Sequence, residues 1–393
     1  MMPEENIVIS GAGPVGAVCA LALKQGGVDP LLLEARPQSA PINDRRTLAL
    51  SYGSRLILER LGVWSQIEHA AAITRIHISH RGGLGRAELT ASEEKLPALG
   101  YVLSYGELTR ALQQGLEHAV VRMRYATPVE QVLSGSTHAI LKLGGAQPQE
   151  MPARLAVIAD GGRNETQTGT HAGKWFRDYG QVAVVAQVVT ELPHAGTAYE
   201  RFTPNGPIAL LPVVGASGES GTYALVWVNA PQEAARIATL GDAQFLAELQ
   251  NQFGGRQGRF LSVGARGQFP LKLDYRGSAA GEHVLRIGNA AQTLHPVAGQ
   301  GFNLGLRDAW ELAQSCIETP ADALGSALQL KAYARSRQGD AVPGILFTDF
   351  LVRSFSTANP LAQHLRGLGL MALQAFPPAR HFVARRMLFG RHG

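Results

Sequence analysis

The ten residues IVISGAGPVG, Ile7 to Gly16, join a short apolar run to three glycines with the spacing G-x-G-x-x-G. Ile7 to Ile9 predicts a buried parallel strand, and the Ala/Leu-rich stretch that continues to Lys24 predicts a helix. A strand, a glycine turn and a helix in this order are typical of the first unit of a dinucleotide-binding fold.

Each part of this motif has a physical task. Gly11 permits the tight turn, Gly13 lets the backbone reach a pyrophosphate, and Gly16 lets helix and strand pack closely. The helix N-terminus adds free N–H groups and the positive end of its dipole. A second apolar run ends at Glu34, whose carboxylate would hold ribose hydroxyls and disfavour a 2′-phosphate. The predicted FAD or NAD site consists of Gly11, Gly13, Pro14, Gly16, Glu34 and Ala35, the alternative being a tight turn with no ligand.

Two further strand-to-glycine junctions favour FAD over NAD. Residues 155–162 run into an Asp-Gly turn, and residues 284–291 end in Gly-Asn. The three junctions are each more than a hundred residues apart, whereas a nicotinamide dehydrogenase usually completes its site within one continuous half. A loop over residues 296–301 and a helix over about 302–318 predict a second helix N-terminus that faces an electron-rich group.

Composition excludes several classes of protein. The chain has 393 residues, of which 45% are hydrophobic and 17% are charged, so disorder and histone-like binding are excluded as global readings. No window of 18 uninterrupted apolar residues exists, and the N-terminus is acidic where a signal peptide would be basic. The only cysteines are Cys19 and Cys316. These features predict a cytoplasmic protein with no metal site.

The basic charge is local. The chain has a net charge of +5, but residues 350–393 hold six Arg and no acid, so the rest of the chain sums to −1. A nucleic-acid partner is therefore not expected. The basic tail has apolar residues at helical spacing. This pattern predicts a segment that lies on the inner membrane surface or docks to a biosynthetic complex. The alternative is a helical subdomain that closes the fold.

The fold class predicted is α/β, with a Rossmann-like FAD-binding domain interrupted by a mostly antiparallel β-sheet substrate domain. Short β-rich runs between Gly/Pro/Ser turns mark the interruption. The predicted boundaries are 1–72, 98–180 and 265–340 for the discontinuous FAD-binding domain, 73–97 and 181–264 for the substrate domain, and 341–393 for a helical basic C-terminal segment.

The three junctions, in this order, resemble the class A FAD-dependent aromatic hydroxylases, the group with the p-hydroxybenzoate hydroxylase fold. The string GNAAQTLHPVAGQGFNLGLRD, residues 288–308, and the segment DRRTLAL, residues 44–50, are more specific and resemble the ubiquinone-biosynthesis hydroxylases, most of all their UbiH-like branch. Asn289 and Gln292 depart from the wider class but match this branch. Asn164 and Gln167 replace the Ser and Arg of the usual motif after the Asp-Gly turn, which puts contacts from those two positions in doubt.

This resemblance implies an enzyme that binds FAD and uses NAD(P)H and O₂ as co-substrates, with no separate NAD(P)H domain. The reduced flavin of such enzymes reacts with O₂ to a C4a-hydroperoxyflavin and hydroxylates a phenol, here a polyprenylated one, 2-polyprenyl-6-methoxyphenol. The flavin contacts that it implies beyond the first motif are Arg46, Asp160, Gly161, Gly288, Asn289, Pro296, Gly299, Gln300, Gly301, Phe302 and Asn303.

Catalytic and substrate residues are less sharply defined by the sequence. The N–H groups around Gly299 to Gly301 are candidates to stabilise negative charge at the flavin pyrimidine. His295 is a candidate to assist phenol deprotonation, the alternative being a structural histidine. Candidate substrate contacts are Tyr199, Arg201, Leu211 and Trp227, which core packing explains equally well. A flavin-dependent reductase or dehydrogenase of an isoprenoid lipid, and a non-enzymatic carrier, remain alternative functions.

Overall fold

The structure is a computed structural model that describes residues 5–41, 44, 46–82, 85–146, 148–162, 175–215, 218–294, 300–355 and 360–392. Its strands form three sheets and its helices cover them. The helices are α1 (Pro14–Gln25), α2 (Tyr52–Arg60), α3 (Tyr105–His118), α4 (Pro231–Thr239), α5 (Asp242–Phe253), α6 (Gln300–Glu318), α7 (Ala327–Phe355), α8 (Pro360–Ala375) and α9 (Pro377–Phe389).

The first sheet is the parallel sheet that the opening motif predicts. Its central order is β18-β19-β11-β1-β2-β8, and β1 pairs in parallel with both β11 and β2. Antiparallel β9 and β10 extend it beside β11. Its strands are β1 (Glu5–Ser10), β2 (Leu31–Leu33), β8 (Arg122–Arg124), β9 (Val129–Leu133), β10 (Ala139–Leu143), β11 (Gln149–Ile158), β18 (Ala279–Gly281) and β19 (Val284–Arg286).

The second sheet follows the order β20-β17-β12-β15-β14-β13-β5-β6, with β16 beside β12. Its neighbouring strands are antiparallel except for the parallel pair of β13 and β5. It extends beyond residues 181–264, since β12 begins at Trp175 and β17 ends at Tyr275. Its strands are β5 (Arg75–His80), β6 (Arg86–Thr90), β12 (Trp175–Thr190), β13 (Thr197–Thr203), β14 (Gly206–Pro212), β15 (Thr222–Asn229), β16 (Phe260–Val263), β17 (Gly267–Tyr275) and β20 (Gln292–Thr293).

A third, small sheet links the other two. It consists of β3 (Thr47–Ser51), β4 (Ala71–Ile73) and β7 (Gly100–Ser104), in the order β3-β7-β4. Ile73 and Val102 of this sheet pack against Ala198 and Ala224 of the second sheet. The predicted α/β fold, with a parallel sheet interrupted by a mostly antiparallel one, is confirmed.

The main core lies between the first sheet and its helices. Fully buried residues of α1, α3 and α6 pack on Ile7 and Ile9 of β1 and on Leu155 and Val157 of β11. The apolar run that predicts β1 is therefore apolar on both faces because helices cover one side and β9 and β10 the other.

The two faces of the second sheet have different neighbours. On the face that we call the helix face, Tyr199, Leu210 and Trp227 pack under α4 and α5. On the opposite face, which we call the cleft face, Ile76 and Leu211 pack toward the third sheet. Because side chains alternate along a strand, each residue of β13 belongs to one face only.

The C-terminal segment is helical where the structure describes it. No described helix is both long and apolar enough to cross a bilayer. Arg380 of α9 pairs with Glu93 at 2.9 Å, and His381 Nδ1 lies 2.7 Å from Glu94 Oε1. Arg386 donates to the Gly339 carbonyl at 3.0 Å. Arg380 and Arg386 of this basic segment are therefore engaged within the fold.

Candidate active site

The three glycine junctions meet at one edge of the first sheet. Gly11 has φ of +108°, and a Cβ atom on it would lie 2.7 Å from the Ala159 carbonyl oxygen, so only glycine fits here. The Gly162 N–H donates to Asp160 Oδ1 at 2.9 Å and closes the Asp-Gly turn. A Cβ on Gly162 would lie 3.2 Å from the carbonyl oxygen of Asn289. Segments more than a hundred residues apart in sequence thus form one backbone-lined surface.

The N-terminus of α1 opens onto this surface. Gly13 is the N-cap residue, with φ of −66° and ψ of 173°, and no side chain caps the helix. A Cβ on Gly13 would meet nothing nearer than the Tyr105 hydroxyl oxygen at 3.8 Å. Pro14 occupies the first turn, where its missing N–H costs nothing. The arrangement fits an anion such as a pyrophosphate, which the free backbone N–H groups of this helix end would face.

Glu34 lies beside this helix end, where a ribose would bind. Its Oε2 accepts from the Ala12 N–H at 3.2 Å, and its Oε1 accepts from the N–H and Nε of Arg36 at 3.0 and 2.9 Å. Burial by itself would raise the pKa of Glu34, but the bonds from Arg36 and Ala12 outweigh it and lower the pKa. Glu34 is therefore an ionised acceptor, and Ala35 beside it is exposed.

Arg46 packs on Tyr105, an aromatic residue near the same helix end that the sequence did not predict as part of the site. Its guanidinium is 4.7 Å from the centroid of the Tyr105 ring and pairs with Asp44 at 2.6 Å. Tyr105 in turn is the nearest side chain to the open position over Gly13. No motif marks Tyr105, because it begins α3 and approaches the site only in the folded chain.

The start of α6 is fixed to β3 and α2 by Asn303, which is 2% exposed. Its Oδ1 accepts from the Ser51 N–H at 2.7 Å and from the Ser54 hydroxyl at 2.8 Å, and its Nδ2 donates to the Ala49 carbonyl at 2.9 Å. Phe302 packs on the main core. Asn303 therefore sets where the helix N-terminus points.

Asp308, the last residue of the long string, holds that string together. It accepts from the Gly288 N–H at 3.2 Å and from Gln292 Nε2 at 2.6 Å. Its other oxygen accepts from Arg337 Nε at 2.7 Å. Burial raises the pKa of Asp308, and the Arg337 charge opposes that rise. Gln292, where the wider class has His, thus has a structural partner within the string.

An apolar cavity of about 60 Å³ lies between α6, the cleft face and α9. Gln300 and Asn303 bound it at the start of α6. The apolar residues around it include Ile73, Ile76, Leu89, Ala384, Met387 and Leu388. The unbranched Met387 side chain adapts its shape readily, so the space can change with its rotamer. The α9 residues escaped sequence reasoning because nothing local marks a contact with β5 and β6, some 300 residues away.

The structure does not bring the candidate substrate residues together. Tyr199 and Trp227 are in the core under α4 and α5, on the helix face. Arg201 lies on that face too, and donates to the Ser79 hydroxyl at 3.3 Å. Leu211 alone lies on the cleft face.

Three of the predicted site residues, and two other residues that the sequence points to, lie outside the described residues. The three are His295, Pro296 and Gly299, and the two are Asn164 and Gln167 of the motif after the Asp-Gly turn. The described neighbours of the first three, Gln300 and Gly301, begin α6, and a Cβ on Gly301 would lie 3.5 Å from Leu294 Cβ. The role of the N–H groups at this helix start stays a prediction.

Residues 4–341 match the family model described as an FAD binding domain. The chain is 30% identical to the 3-demethoxyubiquinol 3-hydroxylase of Escherichia coli (strain K12), over 94% of each chain. It is 29% identical to the ubiquinone hydroxylase UbiL of Rhodospirillum rubrum, over 98% of this chain and 89% of that one. In fold it is similar to the p-nitrophenol 4-monooxygenase PnpA from Pseudomonas putida DLL-E4, with a TM-score of 0.76, 18% identity and full coverage of both chains.

A glycine-lined helix N-terminus that fits a pyrophosphate, an ionised acid beside it and an apolar cavity at the start of α6 agree with the construction of an FAD-dependent monooxygenase, which is the class of the relatives. The cofactor prediction, FAD, is confirmed, and NAD(P)H and O₂ fit as co-substrates of this class. The chain belongs to the FAD-binding-domain family and, within it, to the FAD hydroxylases of ubiquinone biosynthesis.

Proposed function

We propose that this enzyme hydroxylates the ring of a polyprenylated phenol, 2-polyprenyl-6-methoxyphenol. The observation that carries the proposal is the apolar cavity between the start of α6 and the cleft face, next to the site that fits FAD. The names of the relatives support a ubiquinone precursor as substrate. One of these names specifies a 3-hydroxylase and the other gives no ring position, so the choice of the methoxyphenol rests on the motif resemblance.

Each part of the site has a role in this reaction. The α1 N-terminus binds the pyrophosphate, and Glu34 accepts from the adenosine ribose. Bound flavin supplies electron transfer from NAD(P)H and activation of O₂. The cavity walls from β5, β6 and α9 hold the ring beside it and keep water out, which orients the reacting carbon and protects the activated oxygen from side reactions.

The direct test is product identification. The enzyme with FAD, NADPH and an analogue with a single prenyl unit, 2-methoxy-6-prenylphenol, should consume O₂ only when the phenol is present and give a product with one added oxygen atom. Oxygen at another ring carbon would assign a different precursor. Oxidation or reduction of the substrate without O₂ uptake would favour the reductase or dehydrogenase instead.

A cavity-filling substitution tests the location of the substrate. Leu388→Trp adds a bulky ring where α9 meets the cavity, and we expect kcat/KM for the phenol to fall at least about tenfold because even one extra group in a filled pocket costs 1–3 kcal/mol. FAD content should stay at the wild-type value. Phe382→Trp, on the exposed side of α9, is the matched control. Equal activity of the two variants would place the substrate elsewhere.

We further propose that the corner between α8 and α9 touches the membrane that holds the polyprenyl tail. Met371, Phe376 and Phe382 there are 50%, 60% and 71% exposed. Arg385 is exposed on the same helix, with its guanidinium 5.9 Å from the Phe389 ring centroid. The other side of α9 lines the cavity, so a tail that leaves the cavity past this helix reaches the exposed corner.

Vesicle binding tests this surface. With vesicles of phosphatidylcholine and phosphatidylglycerol, the double variant Phe376→Ser/Phe382→Ser should bind at least about tenfold more weakly, because each buried Phe contributes about 1.5–3 kcal/mol. Leu192→Ser/Leu261→Ser removes side chains of comparable exposure, 48% and 51%, from the second sheet and should bind like wild type. If both double variants bind equally, this corner is not the membrane contact.

A further inference from the structure

Glu200 is an acidic residue on the cleft face of the second sheet. In the register of β13 it pairs with Ile78 of β5 and with Ala209 of β14. Its neighbour two residues earlier, Ala198, pairs with Ile76, which lines the cavity. Same-face residues two apart along a strand stand about 6.6 Å from each other, so Glu200 lies one strand across and two residues along from Ile76, beyond this edge of the cavity wall.

The surroundings of Glu200 are apolar and partly open. Glu200, Ile78 and Ala209 are all half-buried, whereas the helix-face residues Tyr199 and Leu210 of the same two strands are buried. Among the residues that the structure describes, none forms a hydrogen bond or an ion pair with Glu200. A carboxylate in such a place is less well solvated than in open water, and the hydroxyl of a ligand could supply a polar partner there.

The electrostatics agree with this placement. Burial raises the pKa of Glu200 to about 7. On this face His80 lies two residues beyond Ile78, and Arg177 and Tyr275 lie farther away, on β12 and β17. The strand β4, which packs on β14, has no titratable side chain. The sequence of α8, which packs on β5 and β6, contains His364 and Arg366. A carboxyl group with a pKa near neutrality is suited to exchange a proton with a substrate.

We propose that Glu200 binds the ring hydroxyl of the phenol and accepts its proton. This inference rests on the proposed function and adds the base that it requires. The O–H bond of the phenol breaks, its proton binds a Glu200 oxygen, and the electron pair stays on the phenolate oxygen. The phenolate ring is more electron-rich than the phenol ring and is therefore the better acceptor of an electrophilic oxygen. The proton leaves to solvent after the product has formed.

Glu200→Gln keeps the shape of the side chain but cannot take the proton. We expect kcat/KM for 2-methoxy-6-prenylphenol to fall about 100-fold, which is the lower range for loss of a general base. A ring-fluorinated analogue, whose hydroxyl is more acidic, should lose less than about tenfold, because it needs the base less. Glu88→Gln, on the helix face of the same sheet, should leave both values at the wild-type level.

Two results would overturn the proposal. An equal loss of kcat/KM for both phenols would mean that the substitution acts on structure, and full activity of Glu200→Gln would mean that no base is needed at this position.

A binding measurement distinguishes a failure of the Glu200 proposal from a failure of the proposed function. If wild type hydroxylates nothing, titration of the oxidised FAD enzyme with the phenol still reports on Glu200: Glu200→Gln should bind at least about tenfold more weakly, and equal affinity contradicts the proposal.

Stability supplies a readout that needs no substrate. The pKa of Glu200 is raised on folding, so its ionisation destabilises the protein as pH rises from about 4.5 to 7. At pH 8, Glu200→Gln should therefore melt about 2–4 °C above wild type. At pH 5 the two should melt together, and Glu88→Gln should show no such difference. A lower melting temperature of Glu200→Gln at pH 8 would show that Glu200 is a structural residue.

Discussion

Gly13→Val should give a folded protein that does not retain FAD. Gly13 has φ of −66° and ψ of 173°, a conformation that any residue adopts, and the space beyond it is open. The valine side chain would occupy the position that a pyrophosphate needs. We expect the Kd for FAD to rise at least about 100-fold, or about 3 kcal/mol, measured by flavin fluorescence on reconstitution of the apoprotein.

The control for this prediction has the same backbone environment. Gly241 is the N-cap of α5, with φ of −62° and ψ of 155°, and a Cβ on it would contact nothing within 4 Å. Gly241→Val should bind FAD like wild type. Far-UV circular dichroism of both variants should match that of wild type. If Gly13→Val still purifies with stoichiometric FAD, the cofactor does not cross this helix end.

The structure of the opening motif could be predicted from sequence because its parts are local. The strand, the turn and the helix lie within about twenty residues, and each has its own sequence pattern; Glu34 follows the next strand. The residue that pairs with Glu34 could not be predicted. Arg36 is two residues away, but its bond to Glu34 depends on how the chain turns after β2.

The candidate substrate residues show why the position of the substrate pocket is harder to predict from sequence than the cofactor motif. Strand alternation predicts that Tyr199 and Arg201 share one face of β13 and that Glu200 faces the other way. It does not tell which face meets the cavity, since α4 and α5, which lie between β15 and β16 in sequence, decide that by covering one side. Of the four candidate substrate residues, Leu211 alone shares the cleft face with Glu200 and Ile76, and the role of all four in substrate binding stays a prediction.

The basic tail illustrates a second limit. Six Arg without an acid predict a surface for anionic lipid when only the tail is considered. In the fold, Arg380 and His381 meet Glu93 and Glu94, about 290 residues earlier in the chain. Long-range pairing of this kind leaves no local signal in sequence, so net charge overestimated the free charge of the segment. The exposed Phe376 was not among the apolar residues that the helical spacing indicates.

Arg337→Met should be the most destabilising of the substitutions considered. Arg337 is 2% exposed and contacts Asp308 at 2.7 Å, Glu311 at 2.6 Å and Asp340 at 2.9 Å. Removal of the cation takes this shared ion pair from all three carboxylates, and the pair of Asp340 with Arg307 at 2.9 Å remains. Breaking a buried pair in this way costs about 3–5 kcal/mol, measured as the free energy of unfolding in urea.

The pH dependence of this loss identifies its cause. Burial already raises the pKa of Asp308, and loss of Arg337 removes the charge that opposes that rise. In Arg337→Met, ionised Asp308 is therefore penalised, and the deficit against wild type should grow as pH rises from about 5 to 8. Adding Asp308→Asn removes that charge and should recover part of the deficit at pH 8.

Arg335→Met is the control, because Arg335 lies on the exposed side of the same helix. It should change the free energy of unfolding by no more than about 0.5 kcal/mol.

Arg337→Met should also bind FAD more weakly than wild type, since Asp308 holds the Gly288 N–H and Gln292 in place. Two results would contradict the explanation by uncompensated charge. One is an Arg337→Met protein that is as stable as Arg335→Met. The other is a loss of unfolding free energy in Arg337→Met that stays the same between pH 5 and 8, since an uncompensated carboxylate should make that loss depend on pH.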